Sequence, residues 1–305
     1  MIVTIQIYDF KLDAKQKELE VRGTPMFPCA AYYSDIVTNV TGDIPWHWHE
    51  EIETLIVCKG TVKIGINGMY YLLKAGDGMF INSNVLHSAI AVGDEECMLH
   101  SLVFHSNLIS GVAESIFEQR YVRPLLHANT LTGVPLYQQI PWQQDTIECI
   151  SDAYEFYAKQ EFGYELCIRE KLTHLWFLMV KHHQDKLEFN DKSENQDTAR
   201  IKMMLGFIHE HYRESIDVKQ IANSARISER ECLRCFKRMM GTPPIKYLLK
   251  YRIQIAARLL IETDKSITEI CQETGFDSPS YFSKVFKQWI SHTPKEYRNK
   301  QSKSE

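Results

Sequence analysis

Within the stretch PWHWHEEIETLIVCKG, residues 45–60, two histidines stand one residue apart and a glutamate follows, giving His47, His49 and Glu53. A second stretch, GDGMFINSNVLH, begins at Gly76 and ends on His87. Imidazole nitrogens and a carboxylate oxygen in this combination suit zinc, iron, manganese or nickel. The same groups can hydrogen-bond a polar organic ligand without a metal, or can serve only as polar residues of a strand. Alternate residues of a strand share a face, so His47 and His49 are expected to point together into a small barrel. His47, His49, Glu53 and His87 therefore form the candidate effector pocket. The same four are the ligands if a divalent metal is bound; the sequence requires no cofactor.

A different chemistry is written at the other end of the chain. VKQIANSARISERECLRCFKRMMGTPPIKY (218–247) can be laid on ITEICQETGFDSPSYFSKVFKQWISHTPKEY (267–297). Val218 and Ile221 match Ile267 and Ile270 at an offset of 49. After the turn, Ser228, Phe236, Lys237, Pro244 and Tyr247 match Ser278, Phe286, Lys287, Pro294 and Tyr297 at an offset of 50. The extra residue falls in a turn, where it is easiest to absorb. Each unit reads as a short helix, a tight turn and a second helix opened by a serine that can cap its free N–H groups. Pro279 suits a first helical position. This is helix-turn-helix architecture, whose second helix enters the major groove of DNA.

The candidate DNA contacts are Ser228, Arg230, Glu231 and Arg234 in the first unit and Ser278, Ser280, Tyr281 and Lys284 in the second. Arg230, Glu231 and Arg234 are expected on the face opposite Leu233 and Phe236. Arginine can pair with guanine, and glutamate can accept from cytosine. Lys237, Arg238 and Lys287 lie further along and suit phosphates. The pair Cys232-x-x-Cys235 has no second ligand pair nearby for zinc. Both cysteines therefore read as small core residues, aligned with Phe282 and Val285.

Three kinds of segment must position these groups. From about residue 29 to 105 the pattern is strand-like: TVKIGINGMYYLL alternates Val62, Ile64 and Ile66, then reaches Asn67-Gly68, a tight hairpin dipeptide. From 142 to 187 the period lengthens. Leu166, Leu172, Leu175, Trp176 and Met179 mark amphipathic helices, an antiparallel pair whose apolar stripe packs on the β domain and leaves part for a second copy of the chain. LEFNDKSENQDT (187–198) is polar and aperiodic, a linker. From residue 201 the pattern is helical, with KYLLKYRIQIAARLLIET (246–263) as a helix connecting the two repeat units.

Charge divides the chain in the same place. Residues 1–198 carry 15 Lys/Arg against 27 Asp/Glu, while residues 199–300 carry 19 against 11. A basic third on an acidic body suits binding to a polyanion. The eight cysteines lack framework spacing and read as reduced thiols. No apolar run reaches the roughly 20 residues of a membrane helix, and the amino terminus lacks the pattern of a secretory signal. A cytoplasmic protein with no membrane partner is expected.

The ordered combination S..ECLRCFK...G..P..Y, R...AARLL..T...I.EI and GF.S.SYFSKVFK.....TP.EYR resembles the AraC/XylS family of bacterial transcriptional regulators across 201–298. Ser291 stands where relatives usually have glycine and is expected to strain that turn slightly. The opening stretch is similar to the cupin pattern G-x4-H-x-H-x3-E-x6-G, running Gly42, His47, His49, Glu53, Gly60, although Asn82-Ser83 replace the usual proline of the second motif.

The resemblance implies an α+β multidomain chain: a cupin-like effector-binding β-barrel (1–140), a helical dimerisation and support segment (141–187), a linker (188–198) and an all-α double helix-turn-helix domain (199–300). It implies a regulator of double-stranded promoter DNA, a homodimer that answers to a small-molecule effector such as a sugar or polar metabolite, and contact with RNA polymerase if it activates. A metal-binding cupin sensor is one alternative. A metal-dependent cupin enzyme is another, and it leaves the double helix-turn-helix unexplained. An RNA-binding or scaffolding role lacks the aromatic platform of RNA modules.

Overall fold

The computed structural model describes residues 17–18, 22–39, 41–93, 96–187 and 196–301. The chain forms two compact units, one built on residues 22–39 and 43–187 and the other on 196–301. In the first unit the described strands are β1 (Cys29–Asp35), β2 (Asp43–His47), β3 (Ile52–Lys59), β4 (Thr61–Ile66), β5 (Met69–Lys74), β6 (Gly78–Ile81), β7 (His87–Ala91), β8 (Met98–Phe104) and β9 (Gly133–Leu136). They pair as one sheet in the order β1-β8-β3-β6-β9 and another in the order β2-β7-β4-β5, antiparallel throughout.

Alternation along each strand decides which layer it buries. In β3, Leu55 and Val57 join Ile64, Ile66, Leu73 and Ala89 of the other sheet in the core between the layers. Ile52 and Ile56 of the same strand face the opposite way, into a second core. Asn67 and Gly68 take φ of 44° and 88° at the β4–β5 turn, the positive values a two-residue hairpin needs. Strand β9 was not foreseen. It is four residues long and contains Pro135, which is tolerable because β9 lies at a sheet edge.

Helices α1 (Pro141–Lys159) and α2 (Tyr164–His182) cover the outer face of the five-stranded sheet. Trp142 stacks on His182, Asp152 pairs with Lys171 at 2.9 Å and Tyr157 meets Tyr164, so the two helices run antiparallel. Trp176, 2% exposed, anchors the pair and donates its indole N–H to the Tyr121 carbonyl at 3.0 Å. A bulky aromatic can be buried there because its one polar atom has an acceptor.

The second unit is helical: α3 (Gln196–His211), α4 (Val218–Ser224), α5 (Glu229–Met240), α6 (Pro244–Glu262), α7 (Ile267–Glu273), α8 (Pro279–Ile290) and α9 (Pro294–Gln301). Of the stretch read as a linker, residues 188–195 lie outside the described residues, and 196–198 already belong to α3. The repeat in sequence is a repeat in structure. Asp217 and Ser266 cap α4 and α7 with capping boxes, and Ser228 and Ser278 cap α5 and α8. Each turn contains one left-handed residue, Arg226 at φ 55° and Gly275 at φ 78°. An arginine binds main-chain carbonyls after a preceding helix in each half, buried at Arg252 and half-buried at Arg298. Arg252 donates to the Tyr212 and Glu214 carbonyls at 2.7 and 2.6 Å, and Arg298 donates to Leu260 and Lys265 at 3.1 and 2.6 Å.

His209 lies flat on Tyr251, ring centroids 3.8 Å apart, with its Nε2 3.0 Å from the Tyr247 hydroxyl. Burial lowers its pKa from 6.5 to about 3, so the folded ring is neutral where the unfolded chain would protonate. Its contribution to stability is complete above pH 6.5 and is lost as pH falls toward 3. The loss is up to about 1.4 kcal/mol per pH unit. Urea denaturation at neutral and acidic pH is expected to show this slope in the second unit, flattened by His209→Gln. A second prediction concerns the ends of the two recognition helices. Gly241 closes α5 at φ 66°, and Ser291 closes α8 at φ 64°. Ser291→Gly should raise stability by about 0.5–1 kcal/mol, since a side chain at a left-handed position costs roughly 1 kcal/mol; an unchanged midpoint in urea would count against strain there.

Candidate functional site

His47 closes β2, Glu53 is the second residue of β3, and His87 opens β7. His49 lies beyond the end of β2, so the two histidines do not share a strand as expected. The β2 ladder ends at the pair His47↔His87, and Trp48 forms an isolated bridge to Lys17. His49 nonetheless turns inward, because its Nδ1 is tied to the Glu51 carbonyl at 3.1 Å. All three histidines are buried, and one ligand atom from each of His47, His49, Glu53 and His87 lies within 4.8 Å of the others.

The ring orientations are set by the backbone. Nδ1 of His47 sits 2.8 Å from the Pro45 carbonyl, and Nδ1 of His87 sits 2.8 Å from the Val85 carbonyl. A carbonyl only accepts, so in all three rings Nδ1 holds the proton, and a neutral ring presents the Nε2 lone pair to the centre. There, Glu53 Oε2 lies 3.3 Å from His49 Nε2 and 3.1 Å from His87 Nε2. Lone pairs and a carboxylate at that range repel unless a proton or a cation lies between them.

Protons are disfavoured. Burial, with the neighbouring His87 and His49, holds the His47 pKa well below 6.5. Burial, with the charge of Arg22, lowers that of His49 to about 4. The donor set therefore fits a divalent transition metal.

His47, Glu53 and His87 line a cavity of about 30 Å³ between the sheets. That is room for one or two waters, and less than a sugar occupies. Glu18, Arg22 and Ser88 also line it, and none of them was singled out in the sequence. The only sequence signal was the i,i+4 spacing of Glu18 and Arg22, which form a buried ion pair.

In the second unit, Arg230, Arg234 and Lys237 are exposed along α5, while Cys232, Cys235, Phe236 and Met239 face inward. Burial pushes the two thiols up to about 11 and about 12, in keeping with core packing. Leu233 corrects the expectation. It is 44% exposed, on the outer stripe with the arginines rather than opposite them. The physical reason is the period: residues 232, 235, 236 and 239 already fill the inner stripe, and 233 falls at three- and four-residue spacing from 230 and 237. An exposed leucine there suits a thymine methyl.

Glu231 accepts from Arg234 at 2.6 Å, and Arg238 pairs with Asp197 of α3. Ser228 and Ser278 spend their hydroxyls on the Glu231 and Tyr281 N–H groups, at 3.3 and 3.4 Å. In α8, Ser280, Tyr281, Lys284 and Lys287 are exposed.

Comparison with known proteins agrees with this division. The family described as helix-turn-helix domain matches residues 221–300, and the family described as cupin domain matches 37–104. The uncharacterized HTH-type transcriptional regulator YdeC of Bacillus subtilis (strain 168) is 33% identical over 295 residues, covering 96% of this chain and 99% of that one. The HTH-type transcriptional activator RhaS of Enterobacter sp. (strain 638) is 24% identical over 262 residues, covering 83% and 87%. Among solved structures, the DNA-binding domain of AdpA in complex with a target DNA is 30% identical, with a TM-score of 0.32, covering 33% of this chain and 91% of that one.

Arg234, whose side chain is 67% exposed, provides the test of the surface. If it reads a base, Arg234→Ala should weaken binding to the cognate site by about 1–3 kcal/mol and leave random DNA nearly unaffected. An equal loss on both, in titrations at matched salt, would mark a phosphate contact instead.

Proposed function

Because the chain belongs to the AraC/XylS family of DNA-binding transcriptional regulators, with a cupin-like N-terminal unit, we propose that this unit is a metal-responsive sensor. His47, His49, Glu53 and His87 hold a divalent transition metal, and its occupancy sets how well the C-terminal unit binds promoter DNA. One observation carries the reading: three Nδ1 atoms tied to carbonyls leave three Nε2 atoms converging with the Glu53 carboxylate within 4.8 Å. When bound, the metal supplies positive charge and open coordination positions for a further ligand. The chain's own residues orient the imidazoles and place the Glu53 carboxylate among them.

The small cavity favours a sensor over an enzyme with an organic substrate, and an ion over a sugar-sized effector. At the other end, the exposed stripes of α5 and α8 support duplex reading through Arg230, Leu233, Arg234, Ser280, Tyr281 and Lys284, with Lys237 and Lys287 on phosphates. Leu166 and Phe177, 74% and 55% exposed on α2, support association as a homodimer.

A ligand regulates only if it binds one state of the protein better than another. DNA affinity of the purified protein is therefore expected to change about 5-fold or more between zinc-loaded and chelator-treated samples, the lower end of ordinary coupling. The double variant His49→Ala/His87→Ala should retain no zinc after dialysis and show no such change. Stoichiometric zinc retention with equal DNA affinity in both states would leave the metal structural. Wild-type protein without retained zinc, iron, manganese or nickel would remove the centre altogether.

A further inference from the structure

We propose that the cavity beside the metal cluster binds a small carboxylate anion, held between the cluster and Arg22. The inference rests on the metal reading above and names the ligand that completes it.

Arg22 is the reason. Its side chain is 4% exposed, and its Nη2 donates to the Glu18 carboxylate. Its Nε and Nη1 are buried and have no hydrogen-bond partner among the described residues. A guanidinium stays charged at any pH a protein survives, so these N–H groups cannot be silenced by losing a proton. Arg22 lies against the Tyr32 ring, its guanidinium carbon 5.6 Å from the centroid, and lines the cavity together with Ser88, His47, Glu53 and His87. The other walls are largely aliphatic, among them Ile44, Leu55 and Leu99. A buried donor set of this kind, unmatched in an otherwise apolar cavity, points to an acceptor that comes from outside the chain.

The charges around the cavity say which acceptor. Arg22 keeps its charge, so an anion matches its unpaired N–H groups better than a neutral acceptor does. Carboxylate fits on both sides, since its oxygens ligate these metals and match guanidinium N–H donors. The volume of about 30 Å³ restricts the molecule to about the size of acetate.

Cobalt(II)-loaded full-length protein supplies the test, because the visible bands of the ion respond to its ligands. Acetate is expected to shift those bands saturably; acetamide, the neutral isostere, and chloride should not. Arg22→Gln should weaken acetate binding about tenfold or more, the loss of a charge-assisted bond, with cobalt retention by equilibrium dialysis unchanged. Arg22→Lys, which keeps the charge but loses the planar pair of donors, should weaken it by a smaller factor and decides the matter if Arg22→Gln does not fold. Cobalt bound with bands unmoved by acetate, or acetate binding equally well to both variants, overturns the anion site while leaving the metal centre standing. Bands moved as strongly by chloride overturn the carboxylate assignment. Wild-type protein that retains no cobalt on dialysis overturns the centre and the proposal together.

Discussion

Three imidazoles each give their Nδ1 proton to a main-chain carbonyl, two residues back for His47 and His87 and two residues ahead for His49. That bond fixes both the tautomer and the direction of the ring. It turns residues that alone would be merely polar into a directed set of lone pairs. The carbonyls are in turn fixed by the strand ends: His47 and His87 face one another across the last pair of the β2–β7 ladder, with rings 4.1 Å apart. The sandwich is needed for the centre because only a packed ladder holds such loop carbonyls still.

The second unit is governed by a constraint of a different kind, duplication. Two helix-turn-helix units share the serine cap and the left-handed turn residue. Duplication extends to the interior: Cys232 and Phe236 occupy the places of Phe282 and Phe286, all four fully buried. The outer stripes are where the units diverge, with arginines and a leucine on α5 against serine, tyrosine and lysine on α8. Cores preserve the framework, and the outer stripes are free to read different sequences.

Much of this was written in local patterns. The Asn67-Gly68 hairpin could be read because two positive φ values leave few residue choices, and the helix-turn-helix pair because a repeat at an offset of 49 to 50 tests itself. The four cluster residues were legible because imidazoles and a carboxylate at metal-ligand spacing stand in two short stretches, 47–53 and 76–87. What escaped depended on the third dimension. Strand β9 is too short to show a period, and Pro135 argues against a strand until its edge position is known. His49 was placed on a strand that stops before it, because a period-two pattern does not reveal where pairing ends. Leu233 was assigned inward on hydrophobicity, although the inner stripe was already full. Arg22 and Glu18 lie far in sequence from the histidines, and nothing local shows that they reach the same cavity.

The position of Glu53 gives the centre leverage beyond its own volume. Glu53, Leu55 and Val57 face the inside of the sandwich, while Ile52 and Ile56 of the same strand pack into the core shared with α1 and α2. A force on the carboxylate is therefore a force on a strand whose other face carries the helices. With neutral rings and no cation, the Nε2 lone pairs of His49 and His87 repel Glu53 Oε2 across 3.3 and 3.1 Å in a setting of low dielectric. On the metal reading proposed above, a cation would draw the same atoms to a common point and reverse that force. Packed interiors resist gradual deformation and respond by shifting between discrete arrangements. A reversal of that kind, on a strand shared by two cores, would give the proposed sensor the differential interaction that a switch requires.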